Sequence, residues 1–141
     1  MNNYLKALVL TATSIVGGSP LNAEVSSEVR QNHILFSSGG TELDEDALTQ
    51  IELLGQILEL PPLENACLKL VGYSDASGGQ SVNRSISQTR AETVARALSA
   101  VLEDPGRIVE TLGVGAADFL EELPETDKHQ RRVAIMARTC G

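Results

Sequence analysis

The chain has 141 residues, the length of one domain, since independent domains commonly run to roughly 100–150 residues. Its 42% hydrophobic and 21% charged residues exclude wholesale disorder, and with 3% aromatics and no Trp the core must be filled by Leu, Ile, Val and Ala. Eleven Lys and Arg against 19 Asp and Glu give a net charge of −8, which repels nucleic acid and anionic lipid and disfavours a polyanion-binding role.

Residues 1–23 read as a secretory signal peptide. A polar start carries Lys6, a mainly apolar run extends from Ala7 to Val16, Gly17-Gly18-Ser19-Pro20 breaks it, and Ala23 is small enough for cleavage. About ten apolar residues fall short of the roughly 20 that a helix needs to cross a bilayer core, so no membrane span is expected. No Cys near the end of this segment offers a site for a lipid. The mature chain is then residues 24–141, one exported domain.

Along that domain, His33-Ile34-Leu35-Phe36 is a short apolar run closed by Ser37-Ser38-Gly39-Gly40, a first strand and its turn. Asp44 is placed to cap a helix with Glu45 and Asp46 in its first turn and Ala47, Ile51, Leu54 and Leu58 on one face, stopped by Pro61-Pro62. Residues 67–73 form a second strand running into the turn-rich Ser74-Asp75-Ala76-Ser77-Gly78-Gly79. A second helix is expected over about 83–102, a third strand over about 107–112, then an acidic loop and a last strand over 132–137. This order predicts a two-layer α/β (α+β) domain, a small mixed four-stranded sheet with two main helices packed on it.

Two cysteines in an exported chain point to a single bridge between Cys67 and Cys140; the alternative is two unrelated buried thiols. A bridge is most natural if the second and last strands are antiparallel neighbours. There is no Cys-x-x-Cys spacing, and His33 and His129 are isolated, so neither a redox motif nor a metal or other cofactor site is indicated.

The second helix contains the informative anomaly. With an apolar stripe drawn through Ile86, Val94, Ala97 and Val101, Arg90 falls on the same face, and a guanidinium aimed at a sheet needs an anionic partner or a cavity. Asp75, in the loop before this helix, is the nearest candidate, and Asn83 lies two turns before Arg90 on about the same side. Two readings stay open. Either Asp75 and Arg90 pair as a staple, or they are held apart and complement a small zwitterion, the carboxylate receiving its ammonium and the guanidinium its carboxylate.

The run Gly72-Tyr73-Ser74-Asp75, then Gly78, Asn83, Ile86-Ser87, Arg90-Ala91 and Val94, resembles the signature of the OmpA C-terminal domain family, with the same spacing throughout. Ile34-Leu35-Phe36 with Gly39-Gly40 resembles its opening strand, and Arg131-Arg132-Val133 its closing one. The resemblance implies non-catalytic binding of cell-wall peptidoglycan through the diaminopimelate of the stem peptide, in the periplasm of a Gram-negative bacterium. It assigns the ammonium to Asp75 and the carboxylate to Arg90, and places Asn83, Ser74, Arg131 and the Gly39 turn around the same pocket. Tyr73, Ser74 and Gln130 depart from the commoner His, Thr and Asn. An interaction scaffold that keeps the fold and docks an envelope protein, with Asp75 and Arg90 merely paired, is the competing function. An enzyme is disfavoured, because Gly-x-Ser-x-Gly, Ser-x-x-Lys and His-Glu-x-x-His are all absent.

Overall fold

The computed structural model describes residues 30–141, so the expected signal peptide lies outside the described residues. In chain order it contains β1 (Arg30–Leu35), α1 (Glu45–Leu58), β2 (Cys67–Gly72), α2 (Gln80–Ser99), β3 (Ile108–Gly113) and β4 (Arg132–Arg138), with short 3-10 turns at Pro105–Arg107 and Lys128–Gln130.

Local chemistry explains α1. The Asp44 carboxylate accepts the Ala47 N–H at 2.8 Å, satisfying one of the orphan donors of the first turn, and Glu45 and Asp46 sit at the positive end of the helix dipole. The expected face, Ala47, Ile51, Leu54 and Leu58, is buried against Ile34, Leu68, Leu70, Val133 and Ile135 of the sheet.

The sheet is mixed, in the order β1-β4-β2-β3. β4 runs antiparallel to both β1 and β2, while β2 and β3 are parallel. Two helices on a four-stranded mixed sheet is the architecture expected, with the last strand inserted at its centre. Because Cys67 is aligned with Arg138 across the antiparallel β2–β4 pair, the exit of β4 passes beside the start of β2, and the structure joins Cys67 to Cys140.

The buried face of α2 differs from the stripe expected. It comprises Asn83, Ser87, Arg90, Ala91, Val94 and Leu98, polar in its first half and apolar in its second, whereas Val101 lies past the helix end and is 38% exposed. Close approach is the cause. A Cβ at Gly72 would collide with the Ser87 carbonyl oxygen, and one at Gly113 with the Gln88 backbone nitrogen, so the first half of α2 presses its own backbone onto β2 and β3. The helix also begins three residues before the predicted start, and Arg107, expected to open β3, belongs instead to the 3-10 turn before it.

Candidate functional site

β1 and β2 are parallel to one another, both being antiparallel to β4, so the loops that follow them emerge at the same end of the sheet. After β1, the Gly40 N–H closes a tight turn on the Ser37 carbonyl at 3.0 Å, with Gly39 at φ 67°, a left-handed conformation that favours glycine. After β2, Ser74 N–H is anchored on Gly115 O at 2.9 Å and the chain turns at Asp75.

Arg90 ties these loops to α2. Its Nε donates to Gly40 O at 2.8 Å, one terminal nitrogen to Ser37 O at 3.2 Å and the other to Tyr73 O at 3.3 Å, while its guanidinium carbon lies 5.4 Å from the centre of the Phe36 ring. It is 1% exposed. Burial, and after it the charge of Arg131, pulls Arg90 below the ordinary guanidinium value, with Asp75 acting in the opposite direction; an arginine remains charged through such a shift. Three backbone carbonyls therefore solvate a buried cation.

Asp75 pairs with Arg131. One carboxylate oxygen accepts from an Arg131 terminal nitrogen at 3.1 Å, and the other accepts from the Ser77 N–H at 3.0 Å and from the Ser77 hydroxyl. Burial alone would raise its pKa, but hydrogen bonds from Ser77 and Arg131 outweigh it and hold the carboxyl below the usual carboxylate range. Arg131 is itself fixed by its Nε, which donates to Phe36 O at 3.1 Å. The direct Asp75–Arg90 staple is not formed, because Arg131, arriving just before β4, takes the carboxylate. The cluster holds one carboxylate and two guanidinia.

The remaining candidates take distinct positions. Ser74 is 3% exposed and its hydroxyl lacks a hydrogen-bond partner among the described residues. Asn83 is buried on α2 and reaches back to Gly78 O at 3.5 Å. Gly39 is exposed, with nothing within 4 Å of the position a side chain would start from; its turn contributes the carbonyls of Ser37 and Gly40 to Arg90.

Sequence reasoning missed the support behind the cluster. Gln130, fully buried, accepts from Leu120 N–H at 2.9 Å and from Arg132 at 3.3 Å, and donates to the carbonyls of Leu120 and Pro124, pinning the loop before β4. Arg132 stacks on Tyr73 with 4.0 Å from its guanidinium carbon to the ring centre and donates to Asp118 O. The available signal was a polar residue directly before two arginines. At the opposite end of the sheet Arg107, 7% exposed, donates to the carbonyls of Ala66, Leu58 and Leu63 and pairs with Glu59 at 3.3 Å.

Among the described residues no group of three or more His, Cys, Asp and Glu is placed to hold a metal ion, and no helix is long and apolar enough to cross a membrane. With a fixed carboxylate and fixed guanidinia facing the same region, the chemistry available is the capture of charged groups.

Residues 35–132 match the OmpA family. Over 106 residues the chain is 30% identical to the probable lipoprotein YiaD of Escherichia coli, a match covering 74% of this chain and 47% of that protein, so the chain spans about half the length of this relative. The fold is similar to the OmpA-like domain of FopA1 from Francisella tularensis, with TM-score 0.67 and 17% identity over 79% of this chain and 75% of that one. It is also similar to the peptidoglycan-associated lipoprotein from Burkholderia pseudomallei, with TM-score 0.60 and 20% identity over 75% and 89% of the two chains.

Proposed function

The chain belongs to the OmpA family, whose wall-binding domains are non-catalytic, and from that premise we propose that it binds cell-wall peptidoglycan in the bacterial envelope through the diaminopimelate of the stem peptide. The observation that carries this reading is the charge count at the loop ends: Asp75 against Arg90 and Arg131, a buried cluster with one cation in excess. An isolated staple needs no second guanidinium. A free amino-acid end group supplies what the cluster lacks, its carboxylate answering the excess positive charge and its ammonium sharing Asp75 with Arg131. In this reading Arg90 is a fixed electrostatic floor, since three of its N–H groups are spent on carbonyls, and Arg131, anchored at its Nε on Phe36 O, offers the ligand the terminal nitrogens of its fork. The unpartnered Ser74 hydroxyl beside Asp75 offers one further polar contact.

A scaffold that docks an envelope protein without touching the wall is favoured by one observation, the Asp75–Arg131 pair already made at 3.1 Å. Co-sedimentation with isolated sacculi separates the two. Wild type is expected in the pellet, and Asp75→Asn and Arg131→Ala in the supernatant with unchanged circular dichroism. A wild-type protein that stays in the supernatant, or variants that sediment as well as wild type, refutes wall binding at this site.

A further inference from the structure

Arg131 reaches its place on a segment that the sheet does not hold. Between Gly113, where β3 ends, and Arg132, where β4 begins, the chain forms no strand, and its one helical piece is the 3-10 turn Lys128–Gln130. Where this segment passes the loop after β2 it is fastened at two points: Ser74 N–H donates to Gly115 O and Ala76 N–H to Glu125 O, both at 2.9 Å. Arg131 then returns to the same loop through its pair with Asp75 at 3.1 Å. Residues 125–131 thus close a ring with residues 75–76, and the shape of that short span fixes how the Arg131 fork stands against the Asp75 carboxylate.

One side chain sets that shape. Asp127 caps the 3-10 turn: a single carboxylate oxygen accepts the His129 N–H at 2.8 Å and lies 2.7 Å from His129 Nδ1, which carries the proton of that contact. These bonds from His129, the backbone one first, hold the Asp127 carboxyl below the usual carboxylate range. The backbone completes the turn, with Asp127 N–H on Pro124 O at 2.9 Å, Gln130 N–H on Asp127 O at 3.0 Å and Arg131 N–H on Lys128 O at 3.1 Å. The side chains of Asp127 and His129 are 27% and 44% exposed and take no part in the apolar core. A pair this exposed adds little to the stability of the whole domain, so its effect is local, on the turn that ends at Arg131.

We infer that Asp127, gripping His129, is a positioning residue for the Asp75–Arg131 cluster: it locks the turn that presents the Arg131 fork, so that the cluster meets its ligand already ordered. The inference rests on wall binding at that cluster, and it requires neither Asp127 nor His129 to touch the ligand. Without the cap the turn samples other shapes. Arg131 then loses its fixed approach to Phe36 O and Asp75, and capture has to order the fork as well as the ligand, which weakens it.

Exchange of the Arg131 Nε–H with water, followed by nuclear magnetic resonance on the ligand-free protein, and co-sedimentation with isolated sacculi test this together. Asp127→Ala is expected to speed that exchange at least about tenfold, to leave the Arg90 Nε–H as it is in wild type, and to weaken sedimentation at least about threefold with melting nearly unchanged. Asp127→Asn keeps an oxygen for the His129 N–H and is expected to restore both readouts towards wild type. An Arg131 signal that Asp127→Ala leaves unchanged overturns the inference, as does one that exchanges freely in wild type already. Faster exchange with undiminished sedimentation, or equal loosening of Arg90, overturns it too. Wild type left in the supernatant refutes the wall reading instead, and the Arg131 signal, read without ligand, still decides whether Asp127 positions the fork.

Discussion

The two ends of the sheet use the same device and finish it differently. Arg90 and Arg107 are both buried, and each donates to three backbone carbonyls from segments distant in sequence. At the Arg107 end the charge is also cancelled by Glu59, and the Cys67–Cys140 bridge closes the same region. At the Arg90 end no carboxylate among the described residues touches the guanidinium, and the available one, Asp75, is engaged by a second arginine. One hub is electrically complete and the other is left with positive charge to spare, so identical anchoring chemistry gives a neutral fastening at one end and, at the other, the charged cluster on which the proposed wall binding rests.

The contrast breaks down most visibly if the closed end is opened. Replacing both cysteines by alanine removes a cross-link between residues 73 apart in sequence, and loop entropy puts the expected loss at about 4 kcal/mol, measurable by urea unfolding with and without reductant. Sacculus binding should persist below the new melting point. Arg107→Ala strands three carbonyls and Glu59, for an expected loss of roughly 3–5 kcal/mol, again with binding retained while folded. Arg90→Lys keeps the charge but lacks the planar fork, and should cost roughly 1–3 kcal/mol and weaken wall binding as well; a variant that loses stability alone makes Arg90 a second plain fastening.

Acid titration sharpens the picture on a finer scale. Asp75 has a folded-state pKa depressed from its ordinary 3.8, so its contribution to stability is present above that value and is lost as pH falls through the lower folded value. Asp75→Asn should therefore flatten the stability curve in that acid range, and identical slopes for variant and wild type would show that the pair does not favour the ionised carboxyl. The smallest effect belongs to the half-exposed Lys69–Glu110 pair: Lys69→Ala is expected to cost less than about 1 kcal/mol by thermal melting and to leave both ends as they were.

Much of this was legible in the chain itself. Asp44 with its acidic first turn and the spacing of Ala47, Ile51, Leu54 and Leu58 defined α1, because capping and apolar periodicity are local. Arg90 stood out because it broke a stripe, and it is buried as that anomaly required. What stayed hidden depends on contacts between residues far apart in sequence. The pairing of Asp75 with Arg131 spans 56 residues and rests on β4 entering the middle of the sheet, an order no local pattern encodes. The stripe of α2 was misdrawn at Val101, which lies past the helix end, and it omitted Asn83, Ser87 and Leu98, because the close approach at Gly72 and Gly113 is set from across the interface. Arg107, outwardly an ordinary strand-end arginine, became a hub only because the carbonyls after α1 converge on it.

The antiparallel register of β1 on β4 also has a mechanical consequence. Arg30 aligns with Ala137 and Leu35 with Arg132, so the chain enters β1 at the end of the sheet remote from Asp75. A pull between that entry and a molecule gripped at Asp75 acts along the strand axis, loading the rungs of the β1–β4 ladder in shear and together, where a sideways pull would peel them one by one. The domain is thus oriented to resist tension between its entry point and the loop end that carries Asp75.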